Sequence, residues 1–370
     1  MADPVAVAPL ALYEDALANG SLTPDTAQRA AVEQLDSLWH ALQQPLAPEP
    51  TGWFARFRSP PKAEHIKGVY LWGGVGRGKT HFCDLFFDAL PFDEKVRLHY
   101  HRFMQRVHAG LRARADQQDP LPSIAAELSR EARVLVLDEM HINDITDAML
   151  MHGLLTALFD LGVTLVTTSN VPPDELYRDG LQRARFLPAI ALLKTKCQVV
   201  HLDSDTDYRL RTLERVPVYY TPSGEDADAA MAERFAELAP VGATRTPGAL
   251  RVNGRDIAHR GVAGGVLWCA FAELCETARA SIDYIEIARE FHSVLISDVP
   301  VMDQAASDAA RRFVNLIDEL YDRNVVVIMS ADADPEHLYT GKRMAFEFVR
   351  AASRLREMGT RDYLALPHLG

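Results

Sequence analysis

The segment Gly73-Gly74-Val75-Gly76-Arg77-Gly78-Lys79-Thr80 constrains this chain more than any other stretch. It matches G-x-x-x-x-G-K-[ST], a loop whose backbone N–H groups turn inward around an anion at the start of a helix. Such a loop needs a strand before it and a helix after it. Val69-Tyr70-Leu71-Trp72 supplies the strand, and Phe82, Leu85, Phe86 and Leu90 recur at helical spacing behind it. The pattern predicts a nucleotide-phosphate cradle formed by residues 73–80 together with His81. In it, Lys79 reaches the β- and γ-phosphates and the Thr80 hydroxyl ligates Mg²⁺.

A phosphate loop of this kind needs an acid at the end of a buried strand. Val134-Leu135-Val136-Leu137-Asp138-Glu139 fits, with Asp138 placed 59 residues after Lys79 and one strand–helix unit between them. Asp138 is expected to hold Mg²⁺, directly or through water, and Glu139 to polarise an attacking water as general base. A third apolar strand ends in Val166-Thr167-Thr168-Ser169-Asn170. Asn170 is the candidate to orient that water beside the γ-phosphate. A second reading makes it the cap of the helix that follows before Pro172-Pro173. With ATP and Mg²⁺ as the expected ligands, a weakly turning-over nucleotide-bound scaffold is disfavoured, because Lys79, Thr80, Asp138 and Glu139 are all present. A guanine-specific enzyme is disfavoured because no N-K-x-D occurs.

Short apolar runs alternate with helical patterns from Gly68 to Leu202, at Val69–Trp72, Val96–Tyr100, Val134–Leu137, Val163–Thr168 and Val199–Leu202. That alternation predicts an α/β fold with a parallel sheet and helices on both faces. The phosphate loop, the Asp-Glu strand and the Thr-Ser-Asn strand end together resemble the AAA+ (ASCE-like) branch of the P-loop NTPases. Upstream, Thr23-Pro24-Asp25 is expected to open a helix, with Thr23 as cap and Pro24 in the first turn. Ala31, Leu35, Leu38 and Leu42 then give it one apolar face. Five prolines between Pro45 and Pro61 interrupt the pattern and mark a connector around Trp53, Phe54 and Phe57. Residues 221–248 are dominated by Asp, Ala, Pro and Gly, and Asn253-Gly254 signals a hairpin. The expected organisation is residues 1–64 as an N-terminal helical segment and connector, and 65–215 as the ATPase core. Residues 216–265 are read as a linker with a small β segment, and 266–370 as a C-terminal α/β lobe.

The C-terminal lobe echoes the core. Met151–Tyr177 and Phe313–Tyr339 align without gaps at an offset of 162, with seven of 27 positions identical. In that alignment Val294–Asp298 is expected to stand where Val134–Asp138 does, in a lobe without a phosphate loop that is either a degenerate copy or a convergent α/β unit of the same periodicity. The alternative is that the late strands extend the first sheet.

Composition narrows the partners. The chain has 370 residues, 48% hydrophobic and 24% charged, an ordinary globular balance. Its net charge of −12 argues against steering onto nucleic acid or an anionic membrane. No apolar run approaches the roughly 20 residues of a membrane span, so stable membrane insertion is not expected. The first ten residues lack the basic start of a signal peptide. Cys83, Cys197, Cys269 and Cys275 form no C-x-x-C pair, which predicts a reducing, cytoplasmic setting. Arg97, Arg102, Arg106, Arg112 and Arg114 cluster against Asp116, either as a surface for nucleic acid or an acidic partner or as a solvated helix face. His99 and His101 share one side of a strand without an evident third metal ligand.

Beyond these local motifs, "LWGGVGRGKT", "LHYHRFMQRVH", "DITDAML", "TSNVPPDELYRDGLQRARFLPAI", "DYRLRTL" and "RRFVNLIDELYDR" resemble the ZapE family of bacterial cell-division ATPases and its mitochondrial relatives. The resemblance runs from about Tyr13 to Leu364. It implies a cytoplasmic AAA+ ATPase at the division site that destabilises polymers of the tubulin-like protein FtsZ when ATP is present. It also implies that Arg183 or Arg185, with Arg185 favoured, reaches the γ-phosphate of a neighbouring subunit, which would make the active form a homo-oligomer. Arg209 and Arg211 are secondary phosphate-sensing candidates. Met140-His141 departs from the family pattern, in which an aromatic residue follows the acidic pair. The alternative function is a nucleic-acid-associated AAA+ loader or initiator, against which the acidic balance counts.

Overall fold

The computed structural model describes residues 7–20, 22–44, 66–74, 77–142, 144–203, 217–239 and 246–369. The chain divides into two compact units, Met1–Thr206 and Asp207–Gly370. The proline-rich connector of residues 45–61 lies outside the described residues.

The first unit opens with α1 (Pro9–Ala18) and α2 (Thr26–Gln43). It continues as β1 (Gly68–Trp72), α3 (Lys79–Ala89), β2 (Lys95–His99), α4 (Tyr100–Ala113), α5 (Leu121–Glu131) and β3 (Val134–Asp138). It closes with α6 (Ile145–Asp160), β4 (Thr164–Ser169), α7 (Leu187–Lys196) and β5 (Cys197–His201). The five strands form one sheet in the order β2-β3-β4-β1-β5, every neighbour parallel. Strands with both faces covered must be apolar throughout, and β3 shows the division of labour. Val134 and Val136 pack with α2 and α3 residues, Leu135 and Leu137 with α4, α5, α6 and α7 residues. In this order β1 lies between β4 and β5, so the loop leaving β1 opens beside the end of β4 and next but one to β3.

The start of α2 differs from the expectation. Asp25, not Thr23, is the cap: its Oδ1 accepts from the N–H groups of Ala27 at 2.9 Å and Gln28 at 3.0 Å. A carboxylate there both satisfies unpaired N–H groups and meets the positive end of the helix dipole. The buried face of α2 carries Ala31, Val32, Leu35, Leu38, Trp39 and Leu42, as its spacing predicts.

The second unit comprises β6 (Tyr219–Tyr220), α8 (Glu225–Leu238), β7 (Gly248–Val252), β8 (Arg255–His259), β9 (Gly261–Ala263) and β10 (Val266–Ala270). After these come α9 (Ser281–Glu290), β11 (Ser293–Val299), α10 (Ser307–Asp322), β12 (Val326–Ala331), α11 (Ala345–Met358) and α12 (Arg361–Leu364). The late strands do not extend the first sheet. They form their own, in the order β6-β12-β11-β10-β9, parallel except for the β9 edge. Residues 216–265 therefore do more than link: they supply the first strand and first helix of this unit, a role their Asp- and Ala-rich composition hides. Asn253 and Gly254, at φ 46° and 80°, turn the β7–β8 hairpin.

The order β6-β12-β11-β10 repeats β1-β4-β3-β2 position for position. The equivalence extends to hydrogen bonds, and it corrects the expected register by one residue. Val134 pairs with Thr164 and Ser293 with Val326. The 162-residue offset joins Thr164 to Val326, so Val134 corresponds to Ser293, Asp138 to Ser297, and Glu139 to Asp298. Both Glu139 and Asp298 have left-handed backbones, φ 55° and 60°. Each donates its N–H to a hydroxyl on the neighbouring strand, Thr168 Oγ1 at 2.8 Å and Ser330 Oγ at 3.0 Å. The gap-free match of the adjacent helix and strand stands. The one-residue difference arises because a continuous apolar run does not mark which of its residues lies beside which residue of the next strand.

Among the described residues, no helix is long and apolar enough to cross a membrane. All four cysteines are free and buried. Burial pushes the thiols of Cys83, Cys197 and Cys269 up to about 12.

Candidate active site

The phosphate loop begins where β1 ends. Gly73 donates its N–H to Ser169 O at 3.2 Å, and a Cβ on it would lie 2.4 Å from Leu202 O, so only glycine fits between β4 and β5. Gly78 caps α3 in the left-handed region, at φ 92°. Gly74, Arg77, Thr80 and His81 line the described part of the loop and first turn, while Val75 and Gly76 lie outside the described residues.

Lys79 is folded over the loop. Its Nζ donates to Gly73 O and Gly74 O, both at 2.7 Å, and to Asn170 Oδ1 at 3.0 Å. These three oxygens hold the ammonium over the loop. Asn170 does not act as the helix cap of the second reading. The short helical turn Pro173–Glu175 has no side-chain cap, and Asn170 faces the loop lysine.

Asp138 ends β3, buried. Its Oδ2 accepts from Arg97 Nε at 2.6 Å. The same guanidinium donates to Asp84 Oδ1 on α3 and to Thr80 O at 3.5 Å. Glu139 is fixed by its neighbours' bonds to β4. Besides its own N–H bond to Thr168, Met140 N–H reaches Thr168 O at 2.7 Å, and Ser169 Oγ donates to Met140 O at 2.8 Å. Met140 is fully buried in the core against the sheet, so the departure from an aromatic residue is absorbed by packing.

Five buried side-chain atoms around this loop have no hydrogen-bond partner among the described residues: Gln28 Oε1, Arg77 Nη1, His81 Nε2, Asp84 Oδ2 and Asp138 Oδ1. Buried polar atoms are rarely left unpaired. Their gathering at one loop fits a site that takes a polar, charged ligand. Asp138 Oδ1, buried and unpaired, is the oxygen-donor chemistry a hard divalent cation requires. Burial lowers the His81 imidazole to about 4, so it stays neutral at physiological pH.

Arg183 and Arg185 lie on a single 3₁₀ turn. Arg183 donates to Asp174 O at 2.5 Å and Arg185 to Gln182 Oε1 at 3.1 Å. Arg185 is exposed. Arg209 and Arg211 lie outside the described residues. Among the described residues, three of the five arginines in the basic cluster are paired with acids. Arg106 pairs with Glu131 at 2.5 Å, Arg114 with Glu127, and Arg97 turns inward to Asp84 and Asp138. Helix α5 supplies acids that spacing along α4 could not reveal. His101 meets Gln105, and among the described residues no group of three His, Cys, Asp or Glu side chains is arranged for a metal.

Sequence reasoning missed Asp84 and the inward role of Arg97. A signal was present: Thr80 and Asp84 are four apart on one helix face, and Arg97 pairs in register with Val136, two residues before Asp138 on the same side of the sheet.

A family model described as AFG1-like ATPase matches residues 7–367. The chain is 45% identical over 371 residues to the cell division protein ZapE of Escherichia coli strain K12, covering 98% of this chain and 99% of that one. It is 39% identical over 310 residues to lactation elevated protein 1 homolog B of Danio rerio, covering 80% of this chain and 61% of that one. Among solved structures, AMPPCP-bound DnaA from Aquifex aeolicus aligns at 14% identity over 53% of each chain. Its TM-score of 0.35 is too low to bear on the fold, which rests on the sheet order itself.

Proposed function

The chain belongs to the AFG1-like ATPase family, a family of nucleotide-binding, ATP-hydrolysing enzymes, and from that premise we propose that it is an ATPase of the bacterial cell-division machinery that binds and destabilises FtsZ polymers at the division ring, in the cytoplasm. The observation that carries the division role is the 45% identity, over nearly the full length of both chains, to a protein named for cell division. FtsZ itself enters through the family resemblance of the motifs.

The proposed chemistry assigns each residue one task. Residues 73–78 wrap the phosphates with backbone N–H groups, and Lys79 exchanges its loop carbonyls for phosphate oxygens. Thr80 and Asp138 would hold Mg²⁺, which when bound neutralises charge on the phosphates. Glu139, kept in place by the Thr168 hydroxyl, accepts a proton from the attacking water. Asn170 orients that water and positions Lys79. His81 lines the first turn of α3 as a neutral group. Arg185, with Arg183 beside it, serves a neighbouring copy as an arginine finger, which would be worth roughly 10³–10⁵ in rate.

Light scattering of FtsZ polymers with ATP tests the division role. Wild type is expected to reduce the signal. Lys79→Ala, which loses the phosphate contact, and Glu139→Gln, which binds ATP but loses the base, are expected not to sustain it. Polymers indifferent to the wild-type protein, with ATP turnover intact, would remove the division role and leave the ATPase.

A further inference from the structure

We propose that Arg97 and Asp84 form a built-in counter-charge pair that holds Asp138 in its metal-binding orientation and sets how much divalent cation the loop requires. The inference rests on the nucleotide-site reading above and adds two positioning residues to it.

The geometry places one guanidinium across three groups. Its Nε donates to Asp138 Oδ2 at 2.6 Å, its Nη1 to Asp84 Oδ1, and its Nη2 to the backbone oxygen of Thr80 at 3.5 Å. It therefore ties the strand that carries the acidic residue to the helix that carries the loop threonine. A planar fork with fixed donor directions suits this task; a lysine would offer only a point charge. All three side chains are largely removed from water, with Arg97 17% exposed, Asp84 12% and Asp138 5%.

Neither carboxylate is used up by the arginine. Asp138 Oδ1 and Asp84 Oδ2 are buried and have no hydrogen-bond partner among the described residues. Two acids around one base leave the trio one negative charge in surplus. A one-to-one ion pair would be neutral. The surplus charge and the spare Asp138 oxygen are what a cation needs. Arg97 meanwhile keeps the two acids from repelling each other before the cation arrives.

The second unit acts as an internal control. It has the same strand order but no phosphate loop, and both charges are gone from the equivalent places. The registers Arg97↔Val136 and Trp268↔Leu295 put Trp268 where Arg97 stands, and Ser297 takes the place of Asp138. An indole N–H to Ser297 Oγ, at 2.8 Å, replaces the ion pair. A contact needed only to join these two strands can thus be made without charge. At these two positions the charged version is found in the unit that carries the phosphate loop; the second unit has an arginine elsewhere, Arg260 from the β8–β9 turn, between Asp228 and Asp298.

The pair predicts opposite effects for its two members. Removing the Asp84 charge makes the trio neutral and weakens cation binding. Removing the Arg97 charge leaves two buried acids, which destabilises the metal-free protein and strengthens cation binding. The experiment titrates Mg²⁺ into the full chain at saturating ADP and follows the thermal midpoint. The isosteric Asp84→Asn is expected to raise the half-saturating Mg²⁺ concentration about tenfold, the low end for partners of metal ligands. Arg97→Gln is expected to lower the midpoint in EDTA and to lower the half-saturating concentration. The double variant, which restores the charge sum, is expected to return within about threefold of wild type, because the two charge changes oppose each other. An unchanged half-saturating concentration in Asp84→Asn overturns the proposal on its own, even if Arg97→Gln does not fold. Shifts in the same direction for both single variants overturn it as well, because they indicate packing alone. A wild-type midpoint that ignores Mg²⁺ and ADP altogether overturns the nucleotide-site reading itself.

Discussion

At the residue scale, the loop concentrates groups that are unfavourable in a folded protein unless a ligand uses them. Glu139 occupies a left-handed backbone conformation that non-glycine residues rarely adopt. The bonds of Thr168 and Ser169 across β3 and β4 hold it there. His81 is a second case. Burial lowers its imidazole to about 4, against about 6.5 when exposed. Between those values the unfolded chain binds a proton that the folded chain does not. The contribution of this residue to stability is therefore complete above about pH 6.5 and is lost as pH falls toward 4. Between pH 7 and pH 5, the wild type is expected to lose about 2 kcal/mol more unfolding free energy than His81→Gln. Parallel pH profiles in urea unfolding would show that the imidazole is not buried as described.

At the element scale, helices and strands follow from side-chain spacing, and their ends follow from local chemistry. The α2 cap illustrates the difference. Thr23-Pro24-Asp25 offers two residues able to cap, and Asp25 takes the position because its carboxylate reaches two N–H groups at once. Asp25→Ala is expected to cost about 1 kcal/mol of unfolding free energy, and Asp25→Asn, which keeps an acceptor, a few tenths. Equal losses in denaturant titrations would assign the effect to charge and not to capping. The three central strands of the first sheet were legible to within one residue, because buried parallel strands are continuous apolar runs, whereas the half-buried edge strands were shifted by one residue at β2 and by up to two at β5. The two-residue strand β6 was not, since Tyr219-Tyr220 is too short to show a period and becomes a strand only by pairing with Met329 and Ser330.

At the scale of the whole molecule, two units share one strand order, and only one has a phosphate loop. The equivalent place in the second unit is the short connection Thr221–Gly224. The helix after it begins with Glu225, Asp226 and Asp228, where α3 begins with Lys79 and Thr80. Acids at a helix N-terminus use the same dipole and N–H groups that a phosphate would need. Asp332, at the position of Asn170, accepts from Ser223, and Arg260 is committed to Asp228 and Asp298. Equilibrium dialysis with labelled ATP is expected to give one nucleotide per chain, and Lys79→Ala to remove it. Two nucleotides per chain would mean that the second unit has kept a site of another kind.

The phosphate loop, the acidic pair, the strand-end asparagine and the parallel α/β class were all set by the sequence alone. Each depends on residues that are neighbours along the chain or on a period that burial imposes. Tertiary structure alone decided what Arg97 does. Along the chain it stands with other arginines near α4. In the fold, parallel pairing of β2 with β3 and packing of α3 on the sheet bring it between Asp138 and Asp84, 41 residues after it and 13 before it. The same holds for the second unit. Its resemblance was visible as a 27-residue echo, but its register was fixed by pairing between strands, which depends on contacts and not on local order.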